Sequence, residues 1–359
     1  MATGIPASGF KGRGALSNPS NRFAAEHSER VDDGWQQDEL PESIATEIRV
    51  DASRSIIARN DSPDIPYDQS INPYRGCEHG CVFCYARPSH AYLDLSPGID
   101  FETRLLYKPE AAALLRKELA RPGYECRQIM LGSNTDPYQP VERKLGVTRS
   151  ILEVLSQTRH PVAITTRGSL ILRDLDLLGP MAAQGLASVY ISITTFDPDL
   201  KRKLEPRSAA SLARLHVMRE LVAAGVPVGV MAAPIIPAIN DSELETILER
   251  ATAAGATRAG YTMLRLPHEV KDLFREWLAQ HMPDRAAHVM SLIQDMRGGK
   301  DNDAQFGSRM RGRGAWAELL RARFHLACRK HGLNAQRDSQ LDTKLFRPAA
   351  LRPQLDLGI

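Results

Sequence analysis

The chain has no apolar run that approaches the roughly 20 residues needed to span a bilayer, and Met1 to Gly14 has no apolar core of a secretory signal. A soluble, cytoplasmic protein with no membrane partner is expected. Net charge is almost absent too. With 46 Lys and Arg against 43 Asp and Glu, the formal charge is +3, so the whole chain carries no electrostatic signature of nucleic-acid binding. Any such case rests on a local patch. Cysteine is scarce and odd in number: of five, Cys77, Cys81 and Cys84 fall close together, which excludes an ordinary disulfide framework and fits a metal site in a reducing compartment.

Residues 1–65 are short of periodic apolar positions and rich in Gly, Ser, Asn, Pro and charge, so they are expected to be a largely disordered arm or to lie over the main domain. Gly12-Arg-Gly-Ala15 recurs as Gly312-Arg-Gly-Ala315, but no longer period follows and the match is read as chance. From Ile71 onward, short apolar runs alternate with helical patterns. A first strand over Ile71 to Arg75 is followed by Gln128 to Leu131, Val162 to Thr166, Val189 to Thr195, Val228 to Ala233 and Ala259 to Leu264, each too continuously apolar for a half-exposed strand. Between them, Leu215, Met218 and Leu221 repeat at helical spacing up to Gly225, and Ser242 with Glu245 has the spacing of a capping box.

A βα period of roughly 30 residues, repeated about six times, implies parallel strands with right-handed crossovers. A complete eight-unit barrel takes about 250 residues, more than the stretch allows. The expected fold is therefore α/β, a partial, open (βα)6 barrel of the TIM type over 66–270, with a helical extension over 271–359; after Pro267 the strand pattern stops, and Val270 to Ala279 and Trp316 to His331 read as helices.

The chemistry lies in Cys77-Glu-His-Gly-Cys81-Val-Phe-Cys84. Structural zinc normally takes four Cys or His ligands in pairs, and here no second pair follows, while Cys126 and Cys328 are isolated. An iron-sulfur cubane held by Cys77, Cys81 and Cys84 would keep one iron without a protein ligand, open to a cofactor. Gly76 and Gly80 can bend the loop so that three sulfurs face one cluster.

This loop, after a first strand in a βα-repeated domain, resembles the radical S-adenosylmethionine superfamily, and Phe83 matches the aromatic before the last cysteine. Asn72-Pro-Tyr-Arg-Gly-Cys77, Ser133-Asn-Thr-Asp-Pro-Tyr-Gln-Pro-Val-Glu142 and Ala233-Pro-Ile-Ile-Pro237 resemble the branch related to spore photoproduct lyase, often labelled DNA repair photolyase-like. The resemblance covers about residues 70–267. It implies a 4Fe-4S cluster whose open iron is chelated by S-adenosylmethionine, and reductive cleavage to a 5'-deoxyadenosyl radical that abstracts hydrogen from substrate. It also implies a reduced flavodoxin or ferredoxin type electron donor and, on branch grounds alone, a carbon-carbon lyase. That branch needs a cysteine donor near the end of the second strand. Here the place reads Leu131-Gly-Ser-Asn-Thr, and Cys126 lies toward the other end.

Cofactor contacts are expected at the C-terminal strand ends, where Ser133 to Asp136, Thr166-Arg167, Thr194-Thr195, Pro234 and Arg265 gather. The resemblance places the methionine amino group at Ser133, Asn134, Thr135 and Asp136; the competing reading is an Asx turn before Pro137. Ser192 or Arg207 can hold the methionine carboxylate, unless Arg207 is a solvated helix start. Asn240 can reach ribose hydroxyls or cap a helix, and Met263 can pack on adenine or sit in the core. His79, Tyr85 and Tyr138 lie near the cysteines, the tyrosines being candidates for catalysis or plain packing.

Residues 309–330 hold six arginines and a lysine against Glu318 alone. One reading is a patch that meets nucleic-acid phosphates. The other is a helix that docks through Trp316, Leu319, Leu320, Phe324 and Cys328 and leaves the arginines solvated. The function expected is a radical enzyme acting on nucleic acid, with two alternatives: the same chemistry on a protein, peptide or small molecule, or a non-catalytic metal or nucleic-acid-binding module.

Overall fold

The computed structural model describes residues 10–24, 43–335 and 340–348. The strands are β1 Glu47–Val50, β2 Ile57–Arg59, β3 Gln69–Ile71, β4 Tyr74–Arg75, β5 Arg104–Tyr107, β6 Ile129–Leu131, β7 Val162–Thr166, β8 Ala187–Ile193, β9 Val228–Ile235 and β10 Arg258–Met263. The helices are α1 Asp100–Thr103, α2 Ala111–Leu119, α3 Glu142–Leu145, α4 Val147–Gln157, α5 Leu175–Ala182, α6 Pro198–Leu204, α7 Ser211–Ala223, α8 Leu244–Ala253, α9 Val270–His281, α10 Pro283–Met296 and α11 Gly314–His331.

Seven strands form one sheet in the order β10-β9-β8-β7-β6-β3-β2. Six of them, β3 and β6 to β10, run parallel, and β2 adds antiparallel to β3. The strand order follows the chain, as successive right-handed βα units require, and the sheet ends at β10 and β2: the expected partial, open barrel. Val189, Ile191 and Ile193 of β8 point out into the core beneath the helices, whereas Ser188, Tyr190 and Ser192 alternate to the inner face. That interior is tight. A Cβ on Gly229 would meet the Tyr190 ring at 2.4 Å and one on Gly260 would meet the Met231 sulfur at 2.6 Å, so both strands need glycine there. The outward apolar side chains, each worth roughly 1.5–3 kcal/mol when fully buried, lock helices to sheet and leave the inner face free for function.

Three local readings need correction. The first barrel strand ends at Ile71; Tyr74 and Arg75 pair instead with Tyr107 and Leu106 in a separate sheet ordered β1-β5-β4, because Pro73 has no amide to continue the ladder. The Ser242–Glu245 capping box does not form: α8 follows a short 3-10 turn without a side-chain cap, and Glu245 pairs with Arg323 of α11. Parts of the arm expected to be largely disordered are built into the fold. β1 pairs with β5, β2 joins the main sheet, and residues 13–15 pack against the cysteine loop. Residues 1–9 and 25–42 of that arm, and 336–339 and 349–359 of the C-terminal extension, lie outside the described residues.

The edge beyond β10 is lined by the segment before α11. The Met263 amide donates to the Met310 carbonyl oxygen at 2.9 Å, while Asp64, from the loop between β2 and β3, accepts from the Gly307 amide and pairs with Arg309. These bonds tie the two ends of the open sheet together. Among the described residues, no helix is long and apolar enough to cross a membrane.

Candidate active site

The cysteine loop leaves β4 and turns at Gly76 (φ 79°) and Gly80 (φ 67°), left-handed positions where other residues are strained. It is hydrogen-bonded on every side. The Cys77 amide donates to the Phe101 carbonyl oxygen (2.9 Å), the Val82 amide to that of Leu204 (3.0 Å) and the Glu78 amide to Gln139 Oε1 (2.8 Å). Arg87, wholly buried, donates from Nε to the Cys81 carbonyl oxygen at 2.9 Å and from Nη1 to that of Gly98 at 2.9 Å. Its other nitrogen pairs with Glu102, itself wholly buried. Glu102 also accepts from the Gly14 and Ala15 amides (3.0 and 2.8 Å), and Arg13 donates to its carbonyl oxygen. Gly14 comes so close that a Cβ there would lie 1.7 Å from the Gly80 carbonyl oxygen. The N-terminal strap is therefore part of the loop's support.

Cys77, Cys81 and Cys84 are all free, and burial pushes each thiol up; the charge of Asp136 adds to this at Cys77, whereas Arg167 opposes it at Cys81 and Arg87 and Arg167 oppose it at Cys84. Among the described residues no three His, Cys, Asp or Glu side chains converge closely enough to hold a single ion. A polynuclear cluster that binds the deprotonated sulfurs offsets the cost of burying thiolates. Positive charge is in place as well. Arg167, at the end of β7, bears on Cys81 and Cys84, lies 5.6 Å over the Phe83 ring, and is held by Glu205 (3.0 Å) and the Ala233 carbonyl oxygen (2.9 Å). Glu205 is in turn paired with buried Arg214 at 2.6 Å, which donates to the Ser192 carbonyl oxygen at 2.8 Å.

Residues 71–251 match the family described as the Radical SAM superfamily. The chain belongs to that superfamily. An uncharacterised protein of Mycobacterium tuberculosis is 38% identical over 232 residues, 64% of this chain and 68% of that one. An uncharacterised protein of Methanocaldococcus jannaschii is 28% identical over 173 residues, 48% of this chain and 62% of the relative. Among solved structures, a double mutant of spore photoproduct lyase with bound AdoMet and dinucleoside spore photoproduct aligns over 80% of both chains with a TM-score of 0.57 at 14% identity, a likeness of fold. The cofactors of this radical SAM protein are accordingly a 4Fe-4S cluster and S-adenosylmethionine, and its three free thiols on one loop, two of them under the charge of Arg167, fit the former.

The residues expected to touch the cofactor divide in this structure. Ser133, Asn134 and Thr135 follow β6 at the mouth, where Asn72 Oδ1 accepts from the Asn134 (2.9 Å) and Thr135 (3.3 Å) amides and fixes the turn. Asp136 is saturated. It accepts from Thr166 Oγ1 (2.6 Å) and from the Arg167 (2.7 Å) and Tyr138 (2.9 Å) amides, with His79 Nδ1 3.3 Å away. Burial would raise its carboxyl, but these partners outweigh burial and hold it at about 2. Ser192 lies buried on the inner face of β8.

Others sit elsewhere. Arg207 is engaged with Glu78 at 3.1 Å beside the loop. Asn240 is fully buried, its amide donating to the Thr194 (2.7 Å) and Pro234 (2.9 Å) carbonyl oxygens and its Oδ1 accepting from the Ile236 amide, so it closes a loop instead of facing ribose or capping a helix. Met263 lies in the core between sheet and helices. Tyr138 is buried in that core with its hydroxyl on Asp174 at 3.1 Å, whereas Tyr85 is half exposed at the mouth, bonded to the Ser133 carbonyl oxygen and covered by Arg265 at 5.2 Å. Sequence reasoning missed Arg87, Glu102 and Gln139, which carried no spacing signal, and set aside Gly12-Arg-Gly-Ala15 as chance.

Proposed function

We propose that Cys77, Cys81 and Cys84 ligate the cluster and that the chain performs radical chemistry on a nucleic-acid substrate. The observation that carries the first part is the three free thiols on one loop, Cys77 and Cys81 buried and Cys84 partly so, with Arg167 bearing on Cys81 and Cys84. The cofactors, when bound, supply a 5'-deoxyadenosyl radical after one-electron reduction. The chain's own residues do the rest. Arg87, Glu102, Gln139 and the 13–15 strap hold the loop rigid, and Arg167 balances negative charge on the sulfurs. Carbonyls of the Ser133 to Thr135 turn, which Asn72 holds through its amides, accept from the methionine ammonium, while Ser192 serves its carboxylate from the inner face. Asp136, already satisfied, fixes the turn and His79; it does not bind the ammonium itself.

Likeness in fold to a structure that holds a dinucleoside spore photoproduct, together with the arginine-rich stretch 309–330, supports a nucleic-acid substrate, and a lyase outcome follows the same likeness. The hydrogen donor differs from the branch pattern: Cys126 precedes β6 at the end away from the mouth, and Tyr85 is the candidate that reaches substrate. A reduced flavodoxin or ferredoxin type donor in the cytoplasm completes the scheme. The test is anaerobic reconstitution with iron and sulfide, dithionite and S-adenosylmethionine. The wild type is expected to make 5'-deoxyadenosine and Cys81→Ala to make none; zinc binding without cleavage would sink the proposal. Added oligonucleotide is expected to raise the yield.

A further inference from the structure

A second set of positive groups lies apart from the cysteine loop, where β10 meets the start of α11. A cavity of about 220 Å³ there is lined by Tyr261, Arg311, Arg313, Gly314, Glu318 and Arg321, among others. Tyr261 is only 8% exposed, packs its ring 4.7 Å from that of Phe324, and has a buried hydroxyl with no hydrogen-bond partner. A buried phenol ordinarily finds a partner, so an unsatisfied one in a cavity wall calls for a ligand atom.

The other walls specify what that ligand is. The 18-residue helix α11 starts here with no side-chain cap, so its first amides point outward and its dipole favours negative charge. Gly314 takes a left-handed φ of 83°, and a Cβ on it would touch nothing within 4 Å, so the approach to those amides is open. Arg311 and Arg321 have no carboxylate partner among the described residues and bear electrostatically on the Tyr261 phenol. Arg313 bonds only the neutral Gln305 and Ser308. Glu318 opposes them from the cavity wall, and Asp303, bonded to Ser308, bears on Arg313 from behind. Their neighbours differ, since Arg309 is paired with Asp64 and Arg323 with Glu245.

We infer that this cavity is a phosphate-binding subsite, in which the Tyr261 hydroxyl and the first-turn amides of α11 donate to phosphate oxygens while Arg311, Arg313 and Arg321 balance the charge. It sharpens the nucleic-acid reading of the 309–330 stretch, yet it needs neither cluster nor S-adenosylmethionine. The full-length, metal-free protein is titrated calorimetrically with inorganic phosphate and, by fluorescence anisotropy, with a labelled single-stranded oligonucleotide. The variants are Tyr261→Phe, Arg321→Ala and Arg321→Lys, with Arg329→Ala at the far end of the helix as a control and melting curves as a check on folding. Loss of a hydrogen bond to a charged group predicts about tenfold weaker phosphate binding in Tyr261→Phe, a similar loss in Arg321→Ala, partial recovery in Arg321→Lys and no change in Arg329→Ala.

If oligonucleotide binding falls in parallel and its salt dependence becomes shallower, the phosphate belongs to a nucleic-acid backbone. If phosphate binding falls and oligonucleotide binding does not, the subsite takes a free phosphate or phosphomonoester. No saturable binding of either probe by the wild type, or wild-type binding in folded Tyr261→Phe and Arg321→Ala, overturns the inference. Failure to make 5'-deoxyadenosine would bear on the radical proposal and leave this result untouched.

Discussion

Two groups of arginines serve opposite ends. Around the cysteine loop, Arg87, Arg167 and Arg214 are buried wholly or mostly, and each is matched to Glu102 or Glu205 and to backbone carbonyls. At the start of α11, Arg311, Arg313 and Arg321 are exposed and form no salt bridge among the described residues, with Asp303 bearing on Arg313 only at longer range. Removing a buried guanidinium from water is costly, so the first group can exist only as part of a fixed network, whose field is then ready for an anionic cluster. The second group has no such cost and its charge is available to a partner. Burial turns a charge into scaffolding; exposure leaves it as a binding group.

The largest expected effect breaks the buried network. Glu102→Ala leaves Arg87 unpaired in the interior and frees the 13–15 strap, so the unfolding free energy of the metal-free chain should drop by about 3–5 kcal/mol in denaturant titration, with poor iron retention after reconstitution. Glu102→Gln should lose less.

The opposite end of the barrel offers a second buried group without ionic partners. His160, just before β7, bonds Tyr124 through Nε2 (2.8 Å) and is lowered to about 4 by burial. Its unfolded form titrates near 6.5, so the unfolded chain binds the extra proton first. Stability is therefore full above about pH 6.5 and declines toward pH 4, by about 3 kcal/mol from this group. Replacement by Gln should flatten that part of the stability-pH curve, which chemical denaturation at several pH values would show.

Gly14→Ala puts a methyl into the Gly80 carbonyl and must push strap and loop apart, at a cost of about 1–3 kcal/mol and with faster loss of the cluster, visible as bleaching. The smallest effect sharpens the contrast. Arg321→Ala should change stability by less than about 0.5 kcal/mol, because the exposed guanidinium supports nothing in the fold. A large loss there would erase the distinction between the two groups.

Much of the fold was legible. The strand runs at Val162, Val189, Val228 and Ala259 lie within two residues of the observed strand starts, since buried parallel strands announce themselves as β-branched runs. The docking face of α11 was legible through Leu320, Phe324 and Cys328, which are buried, though Leu319 is 58% exposed at the face's margin. The cofactor contacts were less so. Asn240 and Arg207 have the right chemistry for a ligand, but Thr194, Pro234 and Ile236 occupy the first and Glu78 the second.

What the sequence by itself determined is whatever depends on near neighbours: the three cysteines and their bends at Gly76 and Gly80, the helix and strand periods, and the superfamily they point to. Which charges became buried struts, and which stayed free, was decided only in three dimensions. Glu102 meets Gly14 across 88 positions and Arg207 meets Glu78 across 129, and no local pattern encodes such pairings, because they follow from how the barrel's loops and strap come to lie together.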